Sequence, residues 1–514
     1  MAHIFLYGPP GSGKSTLGKA LAESLQLPFV DLDQTVEMHA GMSISELMQQ
    51  RGEDGFREAE SRVLHGQMER PESVIALGGG TLLRAQNRWL AESNGRVICL
   101  GAEGSLLGER LRSAPAVRPL LQEDLDTRLS GLLAARSSHY DSFTEQLDSA
   151  GSPAEVVLQL QAMIGRFRLT VMGGSEIISE AGALDRLGEM LREREAARVM
   201  LVTDENVSKL HSARLCDALR GVSLDPATMV IPAGEACKNL ETVSRLWQGF
   251  LQAGLDRKST VIALGGGVVS DLAGFAAATF MRGIDWVCVP TTVLSMVDAS
   301  IGGKTGFDLL QGKNLVGSFH APQLVLADPD LLESLPDAEL RNGLAEMVKH
   351  GIIADPELFR ACGGGLASVK RHLAALIRRA VAVKVRIVEN DPYESGGRAA
   401  LNFGHTVGHA IELVSGYRIA HGEAVAIGMV AESRLAERLG IARRGLPAEI
   451  AQALSGLGLP VRVPPDLPRP ELAHAMQADK KKASGVVRFA LPVDIGRVQI
   501  NVAVSEPESA LEEG

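Results

Sequence analysis

NFGHTVGHAIELVSGYRIAH, residues 402–421, decides how the larger part of the chain folds. His405 and His409 stand four apart, so on a helix they share one face, about one turn from each other. Asn402 lies a turn earlier on the same side, and a break at Ser415-Gly416 brings in His421 from the next segment. Imidazoles four apart, joined by a third ligand from elsewhere, are a common way to hold a catalytic zinc with one position open. Two core or capping histidines and one exposed one are the plainer alternative, which the clustering disfavours.

Upstream, NGLAEMVKHGI at 342–352 puts Glu346, Lys349 and His350 on neighbouring turns of one helix. Glu346 offers a hard oxygen ligand to complete such a site, and His350 competes for the role. Lys384 lies within an apolar helix at 380–388, and Glu394-x-x-x-Arg398 precedes the opening stretch. Downstream, Asp479-Lys480-Lys481-Lys482 begins a basic turn before a strand at 486–491.

Between 167 and about 330, β and α signals alternate, as in a nucleotide-binding α/β domain. Strands at 198–202, 230–232, 261–264 and 286–289 each lead to polar or glycine residues. These are Asp204 and Asn206, then Glu235 and Lys238, then Gly265-Gly266-Gly267-Val268-Val269-Ser270-Asp271, then Thr291-Thr292. Open α/β sheets bind ligands at such strand ends. The triple glycine allows close backbone approach to a pyrophosphate at a helix N-terminus, although it is not G-x-G-x-x-G. Asp298-x-x-x-Gly302-Gly303-Lys304-Thr305 and Gly312-Lys313-Asn314 read as polar loops presenting lysines to an anion.

The first 165 residues carry a different signature. His3–Tyr7 is an apolar strand, followed at once by Gly8-Pro9-Pro10-Gly11-Ser12-Gly13-Lys14-Ser15-Thr16 and a helix. This is a phosphate-binding loop in its required context: backbone N–H groups around phosphate oxygens, Lys14 as a point charge, Ser15 as a Mg²⁺ ligand. A strand at 29–33 ends in Asp31 and Asp33, two apart and so on one side. Arg57, Gly78-Gly79-Gly80, Arg118 and Arg136 follow, and arginines among such motifs point to a small anionic acceptor.

With 514 residues the chain exceeds one core, and its 45% hydrophobic and 22% charged residues are those of a globular protein. A net charge of −10 and 4% aromatic residues argue against nucleic-acid or anionic-membrane partners. The five scattered cysteines, without a CxxC pair, fit a reducing cytoplasm. Neither a signal peptide nor an apolar run of membrane-spanning length is read from the sequence.

Over residues 1–165 the sequence resembles shikimate kinase, on the phosphate loop, Asp33, Arg57, the glycine turn, Arg118 and Arg136. Over about 170–505 it resembles 3-dehydroquinate synthase, on GGGVVSDLAGF, Arg282-Gly283, PTT, DASIGGKTG, GKN, GLAEMVK and LNFGHTVGHAIE with HGEAVAIGM. The resemblance implies a fused enzyme of chorismate biosynthesis with three parts. These are a P-loop kinase-like α/β domain (1–165), a Rossmann-like NAD-binding α/β domain (166–330) and a mostly helical metal and substrate domain (331–514).

The kinase resemblance implies ATP and Mg²⁺ at Gly11–Thr16, shikimate on Asp33, Arg57, Gly79 and Arg136, and Arg118 as the lid arginine. Asp33 would act as base, with Lys14 and Arg118 neutralising charge. The synthase resemblance implies NAD on Asp204, Asn206, Glu235, Lys238, Gly267–Asp271, Thr291, Thr292, Lys304 and Lys313. It puts Zn²⁺ or Co²⁺ on Glu346, His405 and His421. A seven-carbon keto-acid phosphate would lie on Arg282, Lys304, Asn314, Lys349, Lys384, Arg398, Asn402 and Lys480 or Lys481. His409 would transfer protons with Asp298 nearby. Small molecules are the implied partners, and a homodimer through the synthase half is allowed. Departures are Ser137-Ser138-His139 before Tyr140, Asp308, and Ala321. Rival readings are a kinase of another polyol acid, a polyol dehydrogenase, a cyclase with a different product, and a non-catalytic regulatory module.

Overall fold

The computed structural model describes residues 3–113, 125–480 and 487–512, the side chains of 478–480 excepted. Packing separates two units, Met1–Ile164 and Gly165–Gly514.

In the first unit five parallel strands lie in the order β2 (Phe29–Asp31), β3 (Val74–Ala76), β1 (His3–Tyr7), β4 (Gly95–Gly101), β5 (Gln146–Asp148). All five residues of β1 are buried because alternate side chains feed two cores. Ile4 and Leu6 pack with Leu17, Leu21 and Leu160, while Phe5 and Tyr7 pack with Phe56, Leu64 and Phe143. Since β3 adjoins β1, the Gly78–Gly80 turn lies against the phosphate loop, and a Cβ on Gly79 would stand 3.2 Å from the Gly8 carbonyl oxygen.

One expectation fails here. The strand read at 29–33 stops at Asp31, which caps helix Leu32–Ala40 by accepting the Gln34 N–H at 3.2 Å. Asp33 therefore sits in the first helical turn and not on the same strand face as Asp31. An aspartate ahead of an apolar-periodic segment is an N-cap signal, and it outweighed strand propensity.

In the second unit seven strands run β6 (Arg166–Leu169), β7 (Ser175–Ser179), β14 (Leu324–Ala327), β11 (Asp285–Pro290), β10 (Thr260–Gly265), β8 (Val199–Asp204), β9 (Ala227–Ile231). All pairs are parallel except β6 with β7. Every residue of β10 is buried, as in a parallel strand covered on both faces. The segments read as polar loops around 304–314 are instead an antiparallel hairpin of β12 (Lys304–Leu309) and β13 (Gly312–Phe319). Its glycines erase the alternation that marks a strand.

Helices Asp337–Ala354, Leu373–Asn390, His405–Val414 and His421–Arg438 form the other layer, with a second hairpin of β15 (Val487–Asp494) and β16 (Arg497–Val504). Helix His405–Val414 touches helix His421–Arg438 backbone to backbone. A Cβ on Gly428 would lie 2.0 Å from the Gly404 carbonyl oxygen, and one on Gly408 would lie 3.2 Å from that of Ala424. A Cβ on Gly422 would lie 2.1 Å from the carbonyl oxygen of Asn342, on helix Asp337–Ala354. The buried Glu432 carboxylate accepts the N–H groups of Gly404 (2.7 Å) and Val407 (3.1 Å), capping helix His405–Val414 from the facing helix.

Candidate active sites

In the first unit Gly8, Gly11 and Gly13 all have positive φ, and a Cβ on Gly8 would strike the Leu100 carbonyl oxygen at 2.2 Å. Only glycine fits such a loop. Lys14 Nζ donates to the Gly8 and Pro9 carbonyl oxygens (2.9 and 2.8 Å), so its ammonium lies across the loop mouth. Ser15 Oγ donates to Asp31 Oδ2 at 2.6 Å, pairing a hydroxyl with a carboxylate where a phosphate-bound cation would sit.

The acceptor residues converge on the next turn. A Cβ on Gly78 would lie 2.8 Å from Asp33 Oδ1, and one on Gly80 2.5 Å from Arg57 Nη2. The Gly79 carbonyl oxygen accepts from Arg136 Nη1 (3.2 Å), Tyr140 (2.8 Å) and Tyr7 (3.2 Å). Arg57 is held by Glu60 at 2.9 Å, whose other oxygen accepts from Thr81 at 2.5 Å. The departure at His139 is filled by a hydrogen bond between its Nε2 and the Tyr7 hydroxyl, 3.1 Å. Arg118 lies outside the described residues.

In the second unit Glu346 is buried on helix Asp337–Ala354, and its Oε1 is 3.4 Å from the Nε2 atoms of both His405 and His421. His405 Nδ1–H donates to the Phe403 carbonyl oxygen (3.2 Å) and His421 Nδ1–H to Glu412 (3.1 Å). Each ring thus turns its Nε2 toward the buried Glu346 carboxylate, which also pairs with Lys349. Two donors each about 2.1 Å from a tetrahedral centre stand about 3.4 Å apart, so these residues fit a zinc-type ion.

The electrostatics split the two imidazoles. Burial, reinforced by Lys349, pushes His405 well down, whereas at His421 the carboxylates Glu346 and Glu412 overcome burial and raise it to about 10. Glu346 is held well below the usual carboxylate range: burial opposes this, but Lys349 and His405 prevail. His350, the competing ligand, groups with Asp298 and Glu346, 3.6 Å from Asp298. Asp298 accepts from Lys384 at 2.7 Å, which makes it a partner of that ammonium; His409 groups with Glu412 and His421.

The dinucleotide-type residues gather at one edge of the sheet. Helix Gly267–Thr279 begins there with Gly266 as an N-cap that offers no side chain, and Thr291 N–H binds the Gly265 carbonyl oxygen (3.0 Å). A Cβ on Gly265 would lie 2.5 Å from Val269, so the cradle admits no side chain. The first N–H groups of that helix, which have no partner within it, suit a pyrophosphate. Asp204 caps the helix after β8 by accepting from Asn206 and Val207. Lys238 bridges Asp271 (2.6 Å) and Asn314 Oδ1 (2.5 Å). Lys313 lies between Glu235 (3.5 Å) and Glu412 (3.7 Å).

Lys304 pairs with Glu394, and the buried Arg398 donates to the Pro392 carbonyl oxygen at 2.6 Å. Arg282 is not brought to this set. It is exposed in the turn before β11, and because Asp285 pairs with Thr260 that turn lies at the sheet edge opposite Gly265 and Pro290. Lys481 lies outside the described residues, and Lys480 ends its helix with its side chain outside them.

Sequence reading missed several supports. Asp391 is one: its carboxylate accepts from the N–H groups of Arg398 (2.9 Å), Ser395 (2.8 Å) and Gly396 (2.7 Å) and shapes the loop holding Glu394 and Arg398. The Asp-Pro pair after a long helix was its signal. The Arg398 N–H foremost, with those of Ser395 and Gly396, lowers Asp391 to about 2. The loop is thus fully stabilised above the ordinary aspartate value of about 4 and released as pH falls toward 2. Asp391→Asn should raise the KM of a substrate held by Arg398 by up to about a hundredfold, measured by steady-state kinetics, with the first unit's activity unchanged.

Comparison with known proteins follows the same division. The shikimate kinase family profile matches residues 10–164, and the 3-dehydroquinate synthase N-terminal and C-terminal profiles match 228–342 and 343–482. The 3-dehydroquinate synthase of Symbiobacterium thermophilum is 47% identical over 332 residues, spanning 63% of this chain and 93% of that protein. That of a Synechococcus species is 42% identical over 348 residues, spanning 66% and 94%. A 2-epi-5-epi-valiolone synthase from Streptomyces hygroscopicus subsp. jinggangensis, solved with NAD⁺ and Zn²⁺ bound, is 31% identical with a TM-score of 0.61, covering 66% of this chain and 95% of that one. A 2-deoxy-scyllo-inosose synthase at 23% identity and TM-score 0.62 shares the fold. The chain belongs to the 3-dehydroquinate synthase family and carries a shikimate kinase domain ahead of it.

Proposed function

We propose that the chain performs two reactions of chorismate biosynthesis. One is ATP-dependent phosphorylation of shikimate to shikimate 3-phosphate. The other converts 3-deoxy-D-arabino-heptulosonate 7-phosphate to 3-dehydroquinate and phosphate. The three donors Glu346, His405 and His421, spaced for one metal beside Lys349 and Lys384, carry the synthase reading. Residues 1–165 would form the kinase, 166–330 the NAD-binding part and 331–514 the metal and substrate part.

In the kinase, Asp33, beside Gly78, would take the proton of an acceptor hydroxyl, while Arg57 and Arg136 would hold its carboxylate. Lys14 neutralises charge on the transferred group. A magnesium ion on Ser15, with Asp31 behind it, would shield the phosphates.

In the synthase, Glu346, His405 and His421 would hold Zn²⁺ or Co²⁺, and Gly267–Asp271 with Asp204, Asn206, Glu235, Lys238, Thr291 and Thr292 would hold NAD. When bound, these supply a Lewis acid for a secondary alcohol and a reversible acceptor for its hydride. Lys304, Lys349, Lys384, Arg398, Asn314 and Asn402 orient an anionic substrate, together with Lys480 or Lys481. Asp298 sets the Lys384 ammonium, and His409 moves a proton at the rim of the site. A substrate contact by Arg282 would have to come from a second copy, and we propose a homodimer through the synthase half.

Among the described residues no helix is long and apolar enough to cross a membrane, and the five cysteines are buried and unpaired, which supports a cytoplasmic enzyme. The relationship to a valiolone synthase favours a cyclase with another product as the second reading. Incubation with the keto-acid phosphate decides. Catalytic NAD should support many turnovers with one phosphate released per product and no net gain in NADH absorbance. NADH accumulation without phosphate release would mean a dehydrogenase, and a carbocycle other than 3-dehydroquinate a different cyclase.

A further inference from the structure

A cavity of about 270 Å³ opens beside the metal ligands. Asn402 and one face of helix His405–Val414 (His405, Thr406, His409) form one wall, and Arg488 and Asn501 of the β15–β16 hairpin form the other. Among the described residues that line it, Arg488 is the one lysine or arginine.

Two features of the hairpin aim Arg488 at this space. Val487 and Phe489 on either side are buried, so strand alternation turns Arg488 to the opposite face. Two residues along, at Ala490, the register slips: Phe489 pairs with Val502 but Leu491 with Gln499, leaving Ile500 and Asn501 to face Ala490. Asn501 takes φ 59°, the left-handed region, and its carbonyl oxygen accepts from Arg488 Nη1 at 3.3 Å. Bulges of this kind re-aim a side chain beside an active site.

We infer that Arg488, fixed by the Asn501 bulge, grips the phosphate of the synthase substrate and makes this hairpin a specificity element. The inference rests on the synthase reading above. A carboxylate that stays bound through turnover suits the buried cations Arg398 and Lys384, 2% and 5% exposed. A phosphate that departs needs a cavity open to solvent, and Asn402, His409, Arg488 and Asn501 are all exposed. A guanidinium with amide and hydroxyl donors from Asn402, Thr406 and Asn501 matches a group with three oxygens.

The test uses the full chain with Zn²⁺ and NAD, comparing wild type, Arg488→Gln and Arg488→Lys. For Arg488→Gln, the KM of the keto-acid phosphate and the inhibition constant of inorganic phosphate should both rise about tenfold or more. Inhibition by the same keto acid lacking phosphate should stay as in wild type, as should bound zinc, melting temperature and shikimate phosphorylation. Arg488→Lys keeps the charge but loses the fork, and should weaken phosphate inhibition less. Unchanged phosphate inhibition in both variants overturns the inference, as does equal weakening by the keto acid that lacks phosphate. Wild type that releases no phosphate from the substrate overturns the synthase reading itself, before either variant is measured.

Discussion

Replacing Glu346 by Gln should strip the synthase of metal and activity while leaving shikimate phosphorylation intact. The carboxylate faces two imidazole Nε2 atoms at 3.4 Å, and a neutral amide cannot supply the anionic donor. Loss of a supporting partner alone costs about 10–100-fold in metal affinity, so loss of a ligand should exceed that. A second effect follows from Lys349, the buried ion-pair partner of Glu346. Leaving its ammonium uncompensated should destabilise the second unit by about 3–5 kcal/mol. His405→Gln separates the two effects: metal and turnover should be lost with little change in melting temperature. Competition with a chromogenic chelator measures the metal, and activity in excess Mg²⁺ after chelation should show the kinase alone. If Glu346→Gln retains zinc at wild-type affinity, the ligand set is wrong.

Lys14→Ala should lower the kcat of shikimate phosphorylation by at least about a hundredfold and leave dehydroquinate formation near wild type. The ammonium lies across the phosphate loop, within 3 Å of two of its carbonyl oxygens, and no other lysine lies between residues 3 and 113 apart from Lys19. Lys19, on the same helix, is five positions on and points to a different face. Paired assays on one preparation check this. A folded variant that loses both activities would mean that the two units do not work independently.

Much of this architecture is legible in the chain because it rests on period and punctuation. Strand β10 is a continuous apolar run ending in three glycines, and the spacing of His405 and His409 fits the helix that holds them. What escapes is long-range. No spacing tells that Glu346 lies beside His421 while His350 turns to Asp298, since both residues share one helix and only the packing of its neighbours chooses between them. The β12–β13 hairpin escapes because its glycines leave too few side chains to alternate. Asp33 escapes as a helical residue because two aspartates after a short apolar run read equally well as a strand end. Arg282 escapes because a residue's distance from a site depends on which edge of the sheet its turn occupies. Arg488 and Asn501 escape because a bulge is a property of two strands together.

The contacts at Gly404, Gly408, Gly422 and Gly428 set limits on how such a chain can diversify. Where main chains touch, there is no side chain whose trimming or lengthening could nudge one ligand relative to the next. The donor positions are therefore inherited as a block, and an alanine at Gly428 should disturb them as surely as loss of a histidine. Novelty in what the cyclase accepts must then arise elsewhere, on the two hairpins, whose exposed side chains can change one at a time without moving the helices.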